Sequence, residues 1–148
     1  MKVILSVLAA GVGTFGFGIL FHIRGKKLLL ATLAGVLGWA AYHGAGAFGL
    51  SESLRYLVAA AAVTGYSEIF ARVEKTPTTT FLVPSIIPLI PGSALYYTMN
   101  YALGEHWSQF AEQAFYTLQL ALSLAVGIIA VTTTVRLVSG FLRHLHKR

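Results

Sequence analysis

The chain has 148 residues, of which 56% are hydrophobic and 11% charged, and its formal net charge is +6. It has no cysteine and no aspartate, which excludes disulfides, thiolate metal sites, covalently attached haem and cysteine nucleophiles. The basic residues flank long apolar runs instead of sharing one face, so the charge belongs to a membrane protein and not to a nucleic-acid binder.

The first apolar run, Val3 to Phe21, meets His22-Ile-Arg-Gly-Lys-Lys27, the flank of a retained span and not of a cleaved leader. Gly11-Val-Gly-Thr-Phe-Gly16 matches the spacing of a dinucleotide loop, but no strand precedes it and no acidic residue follows about 20 positions on. Ala10, Thr14 and Gly18 recur every four residues and predict a small-residue stripe for close helix packing. The second run, Leu28 to Phe48, repeats the theme with Ala31, Ala34, Gly35 and Gly38. Trp39 and Tyr42 read as interfacial aromatics. His43 is either a satisfied hydrogen-bonding group near the interface or a proton-linked one.

The third run, Tyr56 to Ala71, is marginal for a span of about 20 residues, with Arg55 and Arg72 able to snorkel from its ends. Glu68 lies inside it, four positions before Arg72 and on the same helix face. The pair reads as a structural ion pair, or Glu68 as a cytoplasmic gate or proton-coupling carboxylate. The loop that follows, with Arg72 and Lys75, either meets cytosolic anions or is a solvated positive-inside loop.

The fourth run, Phe81 to Leu103, contains Pro84, Pro88 and Pro91, followed by Gly92. Interior prolines remove donors and free carbonyls, here those of Pro84 and Ile87. Such backbone is tolerated at membrane depth where it is buried in protein or lines a polar cavity. A second half-helix is expected to start at Pro91 near mid-membrane, with the N–H groups of Gly92, Ser93 and Ala94 free to bind a carboxylate and Tyr97 lining the path. The alternative is a kinked structural helix. The fifth run, Ala114 to Val135, is regular, with Thr117 and Gln119 as polar residues near its outer half and Thr132, Thr133 and Thr134 as a structural run at its inner end.

The expected architecture is therefore all-α. One transmembrane domain occupies residues 1–148, with spans at about 3–21, 28–48, 56–71, 81–103 and 114–135 and a basic cytoplasmic tail over 136–148. Nine basic residues then fall on one side, against Lys2 and Arg55 on the other, which predicts an external N-terminus and a cytoplasmic C-terminus. Five spans cannot divide into two equal inverted halves, so a partner subunit or a homo-oligomer is implied. No metal ligand set, catalytic group or cofactor is expected. The remaining expectation is a solute path for a small molecule in membrane lipid, and the alternative is a structural membrane subunit without a path.

Glu68-Ile-Phe-Ala-Arg72, Lys75-Thr-Pro-Thr-Thr-Thr-Phe81 and the block Phe81-Leu-Val-Pro-Ser-Ile-Ile-Pro-Leu-Ile-Pro-Gly-Ser-Ala-Leu-Tyr-Tyr-Thr-Met99 together resemble the smaller, YjjB-like unit of the threonine/serine exporter (ThrE) family. The resemblance runs from about Val3 to Arg136. It implies efflux across a bacterial inner membrane of threonine and serine, or of succinate in some branches, together with a larger YjjP-like membrane subunit. The site residues named above rest on their own chemistry and not on the resemblance.

Overall fold

A computed structural model describes residues 2–145, with residues 141–145 described by backbone alone. Six helices follow in order: α1 (Lys2–Leu20), α2 (Lys26–Ala47), α3 (Glu52–Val73), α4 (Thr79–Ile86), α5 (Gly92–Leu103) and α6 (Trp107–Leu145), with a 3-10 turn at Ile87–Leu89 between α4 and α5. The expected tail thus begins as an unbroken continuation of α6, and residues 146–148 lie outside the described residues.

Four of the helices close in the same way. The amide of Ile23 returns to the Gly18 carbonyl (2.9 Å), Leu50 to Ala45 (3.3 Å), Thr76 to Ala71 (2.9 Å) and His106 to Tyr101 (3.0 Å). In each case the residue before the donor has a positive φ: His22 at 59°, Gly49 at 74°, Lys75 at 49° and Glu105 at 56°. This six-to-one closure satisfies carbonyls that a helix end leaves open, and it explains turns only a few residues long. Lys75, expected at a gate or anion loop, holds the left-handed position in one of them.

Small residues set the packing. Ala10, Thr14 and Gly18 of α1 are buried, as are Ala31, Ala34, Gly35 and Gly38 of α2. Gly35 meets Thr14 and Gly18 meets Leu28 across the α1–α2 seam, while Gly38 faces Val63 and Leu89 and Ala31 packs with Ala71 and Phe81. A β-carbon at Gly127 would lie 2.7 Å from the Leu57 carbonyl and 2.9 Å from the Ala60 β-carbon. Glycine there lets α6 approach the backbone of α3. The main core joins Tyr56, Ala59, Ala60 and Val63 of α3 to Leu89, Ala94, Leu120 and Leu124.

Contacts fix the relative directions. Ser6 meets His43 and Gly18 meets Leu28, so α1 and α2 are antiparallel. Tyr42 stacks on Tyr56 and Ala31 packs with Ala71, so α2 and α3 are antiparallel. Glu52 meets Tyr116 and Arg72 meets Ser139, so α3 and α6 run the same way.

Among the described residues, α1, α2 and Trp107–Gly140 of α6 are long and apolar enough to cross a membrane, and a fourth crossing is counted if Thr79–Leu89 and Gly92–Leu103 form one span bent by 54°. Length and composition therefore give three or four crossings, not the five expected. The difference is α3. It has 22 residues, but Thr64, Gly65, Ser67, Glu68 and Arg72 lower its apolarity. Packed against α2, α4 and α6, it buries Thr64 and Ser67 completely. A helix shielded by neighbours need not be apolar all round.

Candidate functional site

The chain bends where α4 gives way to α5. Pro84 sits inside α4 without ending it, Pro88 lies in the 3-10 turn, and Pro91 is the residue before α5. Ile90 is extended at ψ 131°, the conformation that a following proline favours. Of the carbonyls expected to be freed, that of Ile87 accepts the Ile90 amide (3.1 Å). The Pro88 carbonyl accepts the Trp39 indole N–H at 3.1 Å. Two irregular backbone acceptors are thereby satisfied inside the protein.

At the start of α5 the Gly92 amide already bonds the Ile90 carbonyl (2.7 Å), and Leu95 bonds Pro91 (3.1 Å). The expected trio of free donors becomes a pair, Ser93 and Ala94. Gly92 also does not use glycine's backbone freedom: it is absent from the positive-φ residues, and a β-carbon there would meet nothing within 4 Å.

Pro91, Ser93, Ala94 and Tyr97 line one cavity of about 160 Å³, together with Glu52, Tyr56, Gln113, Tyr116 and Leu120. Four of the five residues expected to bind substrate are thus gathered on one wall. The depth differs from expectation. The cavity lies beside Glu52 and Tyr56, in the first two turns of α3, and so near the end of the bundle that carries the α2–α3 turn, not halfway along.

The opposite wall escaped sequence reading. Glu52 precedes the third apolar run, but in the structure it opens α3. Its two carboxylate oxygens accept the hydroxyls of Tyr42 (3.3 Å) and Tyr116. The signal available was Glu52 standing four residues before Tyr56, on the same helix face.

A family profile described as Threonine/Serine exporter, ThrE, matches residues 6–134. The chain belongs to the threonine/serine exporter family. No curated protein and no solved structure matches it. The family is one of transporters, which assigns the chain to a membrane and to transport rather than catalysis.

The other polar residues of this exporter chain lie apart from the cavity. Arg72 donates to the Ser139 hydroxyl at 2.7 Å, and among the described residues no ion pair joins it to Glu68; the expected pair is replaced by a bridge from α3 to α6. His43 is hydrogen-bonded through Nε2 to the Ser6 hydroxyl at 2.7 Å, as a satisfied group between α1 and α2. Among the described residues no three histidine or acidic side chains are grouped to hold a metal.

Proposed function

We propose that the chain is a membrane subunit of a secondary exporter for small carboxylate-bearing metabolites, of threonine/serine type and extending to succinate, driven by the proton gradient and working with a larger YjjP-like subunit. The substrate carboxylate is received by the Ser93 and Ala94 amides at the start of α5, with the Ser93 hydroxyl and Tyr97 beside it. Five crossings are part of this reading. Support comes from Phe81 packing at the Ala31 and Ala71 level while Ala94 reaches Tyr56 and Leu120 and Thr98 reaches Thr117 at 3.0 Å. The α4–α5 pair therefore travels the length of α3. With the N-terminus outside, the basic ends at Arg24, Lys26, Lys27, Arg72, Lys75 and Arg136 all face the cytoplasm.

The observation that carries the reading is the coincidence of irregular backbone, open amides and a polar cavity within an apolar chain. Helix starts with unsatisfied donors favour anions, and transporters build substrate sites from such breaks. Glu68, Arg72, Lys75 and His43 are left with gating or proton coupling as their part in this scheme. Export of labelled threonine, serine and succinate from proteoliposomes, with and without the larger subunit, tests it, paired with calorimetry comparing threonine with threoninamide. Threonine should bind and its amide should not. Equal affinity for acid and amide would remove the carboxylate site.

A further inference from the structure

Among the described residues Glu52 has no ion-pair partner: no lysine, arginine or histidine nitrogen lies within the 4.0 Å of an ion pair. Arg55, one turn along, lies beside Tyr42 without pairing with the carboxylate: its Nε donates to the Leu50 carbonyl at 2.8 Å and its guanidinium lies against Gly46. Each carboxylate oxygen accepts one phenol hydrogen bond, whereas a carboxylate offers about four acceptor positions. Acceptor capacity is therefore left over on a carboxylate that is exposed and lines the cavity.

Tyr56 adds a second, independent sign. Its side chain is 8% exposed and lines the same cavity. Its hydroxyl makes no hydrogen bond among the described residues, yet it is not among the atoms sealed from solvent without a partner, which are the Tyr66 hydroxyl and Ser67 Oγ. A phenol whose ring is buried and whose unpartnered hydroxyl opens on a polar cavity is placed for a ligand, which takes the place of the water that such a group otherwise bonds. Gln113, from α6, supplies a further amide to the same wall.

The cavity thus has two electrically opposite walls. Pro91, Ser93 and Ala94 present the positive start of a helix; Glu52 presents a fixed negative charge whose position is held by Tyr42 of α2 and Tyr116 of α6. We infer that Glu52 is the specificity-determining residue for a zwitterion: it receives the ammonium group of an α-amino acid whose carboxylate rests on the α5 start, and it ranks a dicarboxylic acid below the amino acid by repelling its second carboxylate. Tyr42 is a positioning residue, which aims the carboxylate from outside the cavity, and Tyr116 aims it from the cavity wall, while the Tyr56 hydroxyl offers the hydrogen-bonding partner for a side-chain hydroxyl. This assignment rests on the carboxylate site proposed above.

The test uses the full-length chain in nanodiscs and calorimetry with three probes: threonine, 3-hydroxybutyrate, which is threonine without its amine, and succinate. The wild-type protein should bind threonine at least about tenfold more tightly than 3-hydroxybutyrate, the worth of one hydrogen bond to a charged group. Glu52→Gln should abolish that preference while leaving 3-hydroxybutyrate binding unchanged, and it should tighten succinate binding. Glu52→Asp, which keeps the charge on a shorter arm, should retain part of the preference. A preference for threonine that survives Glu52→Gln overturns the inference, and so does equal wild-type affinity for threonine and 3-hydroxybutyrate, a comparison that stands even if Glu52→Gln fails to fold. In both of those results the carboxylate site remains intact. Failure of every probe to bind the wild-type protein would instead sink the carboxylate site, and the Glu52 assignment with it.

Discussion

Thr14 of α1 stands against the bare α-carbon of Gly35 in α2. A β-carbon at Gly35 would collide with the Thr14 hydroxyl, its β-carbon and its methyl group, and that hydroxyl is already bonded to the Ala10 carbonyl at 2.8 Å. Thr14 is fully buried and has nowhere to move. Gly35→Val should therefore destabilise the fold by about 1–3 kcal/mol, the usual cost of overpacking, read as a lower midpoint in a denaturation series in detergent. Gly16→Ala, where an added β-carbon meets nothing within 4 Å, should be harmless. Equal midpoints for the two variants would show that the α1–α2 seam yields.

At the break, Pro91→Ala lifts the restriction on Ile90 and lets the 3-10 turn run on into α5, covering the Ser93 and Ala94 amides. Ser93→Ala removes one hydroxyl and should cost about 0.5–1.5 kcal/mol of substrate affinity. The proline change should reduce threonine efflux more than the serine change does. A larger loss from Ser93→Ala would shift the site from backbone to side chain.

Topology is directly measurable because the chain has no cysteine. A single cysteine replacing Lys26 should react with a membrane-impermeant reagent only from the cytoplasmic side, and one replacing Glu105 only from outside. The reverse pattern would invert the proposed orientation.

Arg72 and Ser139 should behave as a coupled pair, and Arg72 and Glu68 as an independent one. In double-mutant cycles, Arg72→Gln with Ser139→Ala should show a coupling of about 0.5 kcal/mol or more, whereas Arg72→Gln with Glu68→Gln should be additive within about 0.5 kcal/mol. Strong coupling to Glu68 would restore the ion pair.

With Arg72 engaged elsewhere, gating or proton coupling is what is left to Glu68 in the transport scheme. Glu68→Gln keeps the side chain's size and removes its proton. It should lower export and flatten its pH dependence in a normally folded protein. An unaltered pH profile for efflux would take Glu68 out of the coupling.

Helix content, the small-residue seams and one wall of the cavity were legible in sequence because each follows from local rules: apolar run length, four-residue spacing, and proline chemistry. Pro91, Ser93, Ala94 and Tyr97 are neighbours in the chain, so a local rule could gather them. Glu52, Tyr42 and Tyr116 come from three helices, and only the pairing of α3 with α2 and α6 brings them together. The Arg72 reading failed for the same reason. Spacing of i, i+4 offered Glu68, whereas tertiary packing offered Ser139, 67 residues away. Span counting also depends on surroundings, since α3 is polar where its neighbours shield it.

The indole of Trp39, seated on the Pro88 carbonyl at 3.1 Å, gives the chain a native optical gauge. Only one other tryptophan exists, Trp107, so Trp107→Phe leaves a single indole, and its N–H is anchored at the joint between the two half-helices. Indole emission responds to the polarity and hydrogen bonding around the ring. Any rearrangement that parts α2 from the 3-10 turn is then written into the colour of the protein's own light, with no dye attached.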